Sequence, residues 1–263
     1  MPLTTEQAEE IEKLIKSKVA SKLKTFNKKA SFMPFLAKII QDNEKVASYS
    51  FIHSMSTMLG MSLYEKISKI IATGNCDECF TKYGVGGVIS AEQKRVIGQI
   101  MLRLTNNGGG NIKSEIKEVL KASAENGVYQ KANAIADFYM IRDGKEYFFE
   151  IKTARPNIDV FRKSKEKLLE WIARKRKKVN VYLVFPYNPL YPKRYESFAE
   201  QGIMNPPFDF LIAEEYWDFL GGENTFVELL EVFESVGKDL KTQMSKTFKQ
   251  IAQKYEEFEE EQQ

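Results

Sequence analysis

The stretch from Ala136 to Lys152 reads ADFYMIRDGKEYFFEIK and decides the fold that we expect. Two runs rich in aromatic and β-branched residues flank the dipeptide Asp143-Gly144, which favours a tight turn between antiparallel strands. We therefore predict a β-hairpin, with one strand over residues 135–141 and a second over residues 146–153.

Three charged side chains come together on this hairpin. Residues two apart on a strand share a face, so Glu150 and Lys152 point the same way. Antiparallel pairing places Asp137 across from the end of the second strand, close to that face. The neighbouring residues are mostly apolar, and charged groups among them carry a desolvation cost that metal coordination would offset.

This combination of residue types suits phosphodiester chemistry. Asp137 and Glu150 are predicted to bind Mg²⁺ together with the main-chain carbonyl of Ile151, because Mg²⁺ prefers hard oxygen ligands. A bound metal lowers the pKa of a water and neutralises charge on a phosphate. Lys152 would position or help deprotonate the attacking water and stabilise the transition state. The plainer alternative is an exposed hairpin with a simple Glu–Lys ion pair.

The residues after the hairpin continue an α/β pattern. Residues 161–177 have helical periodicity, and residues 179–185 form a near-continuous apolar run. Strand, helix and strand in this order predict a right-handed crossover with parallel pairing. Residues 208–213 offer one further strand. The predicted fold class is α/β, with a mixed central β-sheet flanked by helices and with further helices at both ends of the chain.

The 263 residues show no internal repeat and no low-complexity linker, so we expect a single domain over residues 1–263. A helical N-terminal part over about 1–125 would precede an α/β core over about 126–213 and C-terminal helices over about 214–263. The most amphipathic segment of the N-terminal part, residues 48–72, is predicted to be one helix.

Glu65 lies within this predicted helix. At about 100° per residue it falls on the flank of the apolar stripe, where it would face a cleft between helix and sheet. The alternative is a surface glutamate that pairs with Lys69 one turn later.

Composition narrows the class of protein. Hydrophobic residues make up 43% of the chain and aromatic residues 12%, enough for a substantial core. No apolar run reaches the ~18 residues that a membrane helix needs, and the charged N-terminus is unlike a signal peptide. We therefore expect a cytoplasmic protein without a membrane partner.

The two cysteines, Cys76 and Cys79, are too few for a disulfide scaffold. Together with the single histidine, His53, they offer three of the four ligands that structural zinc usually takes. A zinc site, a redox pair and two ordinary thiols in a loop all remain open, and the last is the simplest interpretation.

The net charge is only +3, but its distribution is uneven. Residues 152–178 contain 11 Lys or Arg and 3 Asp or Glu, which suits a polyanion beside the hairpin. A solvated helix face is the alternative. The candidates for contacts to DNA phosphates are Arg162, Lys163, Lys165, Lys167 and Arg174–Lys178. The candidates for contacts to bases are Arg155, Asn157, Lys193 and Arg194.

Asp137, Glu150 and Lys152, followed by a helix and another strand, resemble the PD-(D/E)xK nuclease superfamily. Ala136 stands where the motif's name has proline, a position that varies in the superfamily. Superfamily members often add a carboxylate from an upstream helix, and Glu65 matches that place.

Longer stretches are similar to type II restriction endonucleases, and in particular to the TdeIII-like family. They are Tyr147–Asn157, Lys165–Trp171 and Glu214–Gly222. The resemblance covers about residues 45–240. It implies a homodimer that uses Mg²⁺ to cut double-stranded DNA at a short near-palindromic site, with GGNCC as the sequence for the TdeIII-like group. The ends would carry 5′-phosphate and 3′-hydroxyl groups.

Two other functions remain open at this point. A repair or junction-resolving nuclease of the same superfamily would share the charged residues without site specificity. A non-catalytic DNA-binding protein would carry the hairpin carboxylates for structural reasons only.

Overall fold

The computed structural model describes residues 3–29, 33–152, 157–195 and 202–260. Contacts between residues divide the chain into two compact units. One unit contains Tyr64–Phe226 and includes the β-sheet. The other contains Leu3–Leu63 together with Val227–Gln263, and its described residues are mainly helical.

In chain order, the described α-helices are α1 (Thr5–Lys29), α2 (Pro34–Ile40), α3 (Asn43–Met58), α4 (Tyr64–Ala72), α5 (Ala91–Asn107), α6 (Ile112–Lys121), α7 (Ile158–Lys175), α8 (Glu214–Gly221) and α9 (Thr225–Glu260). The strands are β1 (Glu78–Gly84), β2 (Ile135–Arg142), β3 (Lys145–Ile151), β4 (Asn180–Phe185) and β5 (Phe210–Ile212). The sheet follows the order β1-β2-β3-β4-β5. Its first two pairings are antiparallel and its last two are parallel. The predicted α/β class with a mixed sheet flanked by helices is confirmed.

The predicted hairpin is present as β2 and β3. Asp143 and Gly144 both have positive φ, 50° and 66°, as a two-residue type I′ turn requires. The register places Phe138 opposite Phe149 and Tyr139 opposite Phe148. These four rings are buried and contact one another in pairs across the strands, so the hairpin lies in the core of the sheet.

Helix α7 forms the predicted crossover between the parallel strands β3 and β4. The Asn157 side chain caps its first turn by accepting a hydrogen bond from the main-chain N–H of Val160. Leu168 and Trp171 on α7 are fully buried, and Trp171 packs against Phe148 of the sheet. Helices α5 and α6 pack against α7, whereas α4 contacts β1, β2 and α8.

Strand β1 is a correction to the sequence analysis, whose simplest interpretation placed Cys76 and Cys79 in a loop. Its residues, Glu78–Gly84, alternate between exposed and half-buried positions at the edge of the sheet. An edge strand of polar composition lacks the apolar run by which a buried strand is recognised. Cys79 therefore lies in a strand and not in a loop, and both Cys76 and Cys79 are free thiols.

The single helix predicted over residues 48–72 is also wrong. A π-helical turn at Leu59–Leu63 separates α3 from α4. The boundary between the two compact units falls at the end of this turn, between Leu63 and Tyr64. Apolar periodicity alone does not reveal such an interruption, because the apolar residues continue on both sides of it.

The second unit has its own apolar core. Four residues of α1 at helical spacing are buried: Ile11, Ile15, Val19 and Leu23. Phe51 of α3 contacts Phe26 of α1 and Phe248 of α9 edge to face. Across the described residues of both units, no helix combines the length and apolar character needed to cross a membrane.

Candidate active site

Asp137 lies where β2 and β3 separate. Phe138 and Phe149 form the pair at this end of the β2–β3 ladder, so Asp137 and Glu150 are the next residues on the two strands. The Asp137 Oδ2 atom accepts a hydrogen bond of 2.9 Å from the main-chain N–H of Ile151. The carboxylate is thus held by the backbone of the neighbouring strand.

Glu150 is the most enclosed hairpin carboxylate, with 3% of its surface exposed. Its Oε1 atom lies 2.5 Å from Lys152 Nζ, and its Oε2 atom lies 2.5 Å from Lys167 Nζ of α7. Burial of a carboxylate is costly unless it is paired, and two ammonium groups supply that pairing here.

Glu65 reaches the same site from α4 and is 4% exposed. Its Oε1 atom lies 2.5 Å from Lys82 Nζ. Burial raises the pKa of the Glu65 carboxyl above its ordinary value, and the hydrogen bond from Lys82 offsets part of this effect. Glu65 does not pair with Lys69, so the surface alternative considered from the sequence does not describe it.

Lys82 on β1 links two of these carboxylates. Its Nζ atom also lies 3.0 Å from Asp137 Oδ1. Burial acts to lower the pKa of Lys82, but hydrogen bonds to Glu65 and Asp137 outweigh it and raise the pKa above the ordinary value. Lys82 therefore carries a full positive charge between two acidic groups.

The site thus assembles Glu65, Asp137 and Glu150 with a matching set of ammonium groups. Buried carboxylate oxygens are the donors that a hard divalent cation prefers, so the donor chemistry fits Mg²⁺. Within the part of the chain that the structure describes, no three acidic, histidine or cysteine side chains already form a metal cage. An ammonium group lies between Glu65 and Asp137 instead.

Comparison with known proteins identifies the family to which the chain belongs. A family model described as "Type II restriction endonuclease, HinfI" matches residues 3–237. The chain belongs to the HinfI family of type II restriction endonucleases.

Individual relatives of this HinfI-family chain carry the same description. It is 29% identical to "Type II restriction enzyme MjaII" of Methanocaldococcus jannaschii over 72% of its own length and 54% of that enzyme. It is 27% identical to "Type II restriction enzyme HgiCII" of Herpetosiphon aurantiacus, over 87% of this chain and 86% of the relative. A third, "Type II restriction enzyme HgiEI" of the same organism, is 26% identical over 83% of this chain and 82% of the relative. The predicted membership of the type II restriction endonucleases is confirmed, and HinfI is the family whose model matches.

The structure brings the four residues proposed from the sequence, Glu65, Asp137, Glu150 and Lys152, into one site of the HinfI-family chain. Sequence reasoning missed the roles of Lys82 and Lys167. Lys82 lies in the unrecognised strand β1, between the ladder pairs Thr81–Phe138 and Tyr83–Ala136. Lys167 lies in the basic block, where it was a candidate for phosphate contacts, and the structure pairs it with Glu150 instead.

Lys165 is a correction among the DNA-binding candidates. Its side chain is completely buried and pairs with Glu115 of α6, at 2.6 Å, and with Asp209, at 2.5 Å. It is thus inaccessible to a phosphate. The spacing of residues along α7 could have indicated this burial. Residue 165 is four positions after Phe161 and three before Leu168, so it falls on the buried stripe of the helix.

The other candidates differ in their surroundings. Arg162 is half-buried, and its guanidinium lies 3.4 Å from Asp159, whereas Lys163 is exposed. Asn157 uses its side chain to cap α7. Lys193 and Arg194 are exposed. Arg155 lies outside the described residues.

Much of the basic block is neutralised within the protein. Arg174 is buried and donates hydrogen bonds to the carbonyls of Gln130 and Ala132. Lys175 and Lys177 lie 2.7 and 2.6 Å from the two carboxylate oxygens of Glu146. The basic block is therefore not a uniform basic surface, because several of its charges form ion pairs and hydrogen bonds within the HinfI-family chain.

Proposed function

We propose that this chain is a Mg²⁺-dependent type II restriction endonuclease that hydrolyses both strands of DNA at a short near-palindromic sequence. The ends would carry 5′-phosphate and 3′-hydroxyl groups. The observation that carries the proposal is the convergence of Glu65, Asp137 and Glu150 beside Lys152 at the open end of the hairpin. Membership of the HinfI family supports the same reaction class.

Each residue has a separate task in this proposal. Asp137 and Glu150 would hold the metal with the carbonyl of Ile151, and Glu65 would add a third carboxylate from α4. When bound, Mg²⁺ would supply Lewis acidity and neutralise phosphate charge. Lys152 Nζ would hydrogen-bond the attacking water and stabilise the negative charge that develops on the phosphate oxygens. Its side chain is 38% exposed and so remains open to substrate.

The surroundings of the site suggest how DNA is held. Lys163 and Arg162, on the first turns of α7, are available for phosphate contacts that position the duplex without reading its sequence. Arg155 and Asn157 fall between β3 and α7 in the amino-acid sequence and are candidates for contacts near the cleaved bond. We propose a homodimer, because a twofold enzyme matches a twofold-symmetric site.

The recognition sequence requires a direct test. The resemblance to the TdeIII-like family makes GGNCC the first sequence to examine. A duplex containing GGNCC and a duplex with one changed outer base pair would be compared at equal ionic strength, because salt controls DNA affinity.

One experiment tests the proposed activity. The protein is incubated with plasmid and bacteriophage DNA in Mg²⁺ and, in parallel, with an excess of chelator. Discrete fragments that require Mg²⁺, with ends labelled by kinase only after phosphatase treatment, would support the proposal. A smear or nicking would favour a repair or junction nuclease instead. DNA binding without Mg²⁺-dependent cleavage on any DNA tested would favour a non-catalytic protein.

The matched variant is Asp137→Asn, whose amide oxygen can still accept the hydrogen bond from Ile151. Loss of cleavage with retained folding and DNA binding would support the assigned site. Full activity in this variant would contradict it.

A further inference from the structure

Lys82 stands apart from the other ammonium groups of the site. Lys152 and Lys167 both pair with Glu150, whereas Lys82 alone connects carboxylates from two elements, Glu65 of α4 and Asp137 of β2. Its side chain is 54% exposed, although the carboxylates that it contacts are only 6% and 15% exposed. The ammonium therefore enters from the solvent side between two enclosed acids.

The backbone at Lys82 is also unusual for a strand. Its φ is 52°, in the left-handed region that a lysine adopts at a cost of roughly 1 kcal/mol. The ladder is regular on both sides, with Thr81 opposite Phe138 and Tyr83 opposite Ala136. Lys82 and Asp137 face each other between these pairs without being a ladder pair. Strain of this kind persists where the surroundings require it and is frequent at functional positions.

The charges of Lys82, Glu65 and Asp137 indicate what Lys82 does in this site. Two carboxylates with one ammonium carry a net charge of −1, and without the ammonium they would carry −2 at close range. A divalent cation would neutralise both charges, and it would be held by the same two side chains, Glu65 and Asp137, that Lys82 contacts. Lys82 and a metal ion thus compete for one place.

We propose that Lys82 is a displaceable counter-ion that holds Glu65 and Asp137 together until a divalent metal replaces its ammonium group. This inference rests on the proposed metal-dependent function. It makes Lys82 a positioning residue with opposing effects: it stabilises the metal-free protein, and it weakens metal binding. Its exposed side chain and edge-strand location allow it to move outward without disturbing the buried carboxylates.

The test uses Lys82→Met, which keeps the length of the side chain and removes its charge. Binding of Mg²⁺ is followed without DNA, by calorimetry and by the rise in Tm up to tens of millimolar Mg²⁺ at constant ionic strength. We expect a lower Tm than wild type without metal and a Mg²⁺ affinity higher by about two- to fivefold, the scale of one partly exposed ion pair. Lys82→Arg, which retains the charge, should bind Mg²⁺ much as wild type does.

Two controls locate the effect. Lys66→Met removes an exposed charge from α4 and should change neither Tm nor affinity appreciably. Adding Asp137→Asn to Lys82→Met should abolish the gain in affinity, because one of the two carboxylates is then missing.

The results of these experiments distinguish a failure of the counter-ion role of Lys82 from a failure of the proposed nuclease function. If Lys82→Met binds Mg²⁺ no more tightly than a wild-type protein that cleaves DNA, the counter-ion role is wrong and the nuclease assignment stands. If wild type shows no Mg²⁺-dependent rise in Tm but Lys82→Met does, the competition is supported. If the wild type neither cleaves DNA nor responds to Mg²⁺, and Lys82→Met does not respond either, the proposed function fails and this inference fails with it.

Discussion

The carboxylate of Asp137 accepts its hydrogen bond from the main-chain N–H of Ile151, the residue that follows Glu150 on the neighbouring strand. One proposed metal ligand is therefore oriented by the backbone beside the other. This hydrogen bond from the backbone to a side chain links β2 and β3 at the point where the two strands separate.

Asp137→Asn should lower the cleavage rate by about 10²- to 10³-fold or more, because a neutral amide is a poor ligand for Mg²⁺. The variant keeps the acceptor for the Ile151 N–H, so its Tm should stay near that of wild type. Single-turnover cleavage and a DNA-binding assay in Ca²⁺ measure the two properties separately. Weak DNA binding with normal cleavage per bound complex would contradict the role of Asp137 as a ligand.

Lys152 and Lys167 lie equally close to Glu150, but their surroundings differ. Lys167 is 17% exposed, and its ammonium lies 5.3 Å from the centre of the Trp171 ring, whereas Lys152 is open to solvent. We expect Lys152→Met to slow single-turnover cleavage by about 10²-fold or more and Lys167→Met by about tenfold or less. Lys167→Met should instead lower Tm. The reverse order of the two rates would assign the catalytic ammonium to α7.

The buried pair of Lys165 with Glu115 and Asp209 predicts a stability defect. Lys165→Met leaves two enclosed carboxylates without their counter-ion, and we expect the free energy of unfolding to fall by about 3–5 kcal/mol. Lys163→Met, two residues away on the exposed face, should change stability by less than about 0.5 kcal/mol and weaken DNA binding at low salt. Urea unfolding and DNA titration of both variants check this. Comparable stability losses at the two positions would argue against the burial of Lys165.

Glu146 should make stability depend on pH. Burial tends to raise the pKa of its carboxyl, but hydrogen bonds from Lys175 and Lys177 outweigh this and hold the pKa below the ordinary value of 4.5. A carboxyl with a depressed pKa in the folded state stabilises the protein above about pH 4.5, and this contribution is lost as the pH falls through the folded-state pKa.

We therefore expect Glu146→Gln to be less stable than wild type at pH 7 and the difference to shrink below about pH 4.5. Urea unfolding of both proteins between pH 7 and pH 3 measures it. Glu231→Gln, at an exposed position on α9, is the control and should show little difference at any pH. A difference that grows on acidification would contradict the sign.

The parts of the fold that sequence predicts are those with dense local signals. The hairpin follows from two apolar runs around Asp143-Gly144, and the crossover follows from a helical stripe between apolar strands. Because the carboxylates sit on these elements, Asp137 and Glu150 could be placed without a structure. Glu65 was identified from the superfamily resemblance together with the helical periodicity around it.

The parts of the fold and of the site that the sequence does not predict depend on contacts between segments that are distant in the chain. Strand β1 is polar and half-exposed, so its own sequence does not indicate that it pairs with β2. The contacts of Lys82 could not be predicted because the strand that carries it was not recognised. The basic block shows the same limit. A count of charges does not distinguish Lys163, which meets solvent, from Lys165, which meets two carboxylates that are far away in sequence.

The type I′ turn at Asp143-Gly144 has a consequence for how this family can tolerate change in length. Side chains alternate along a strand, so a shift of the β2–β3 pairing by one residue would turn Asp137 and Glu150 toward opposite faces of the sheet. The turn is remote from the reacting atoms, but it helps to set the register that places Asp137 and Glu150 on the same face of the sheet. Among natural variants with an intact site, insertions should collect in the connections outside the hairpin and spare these two residues.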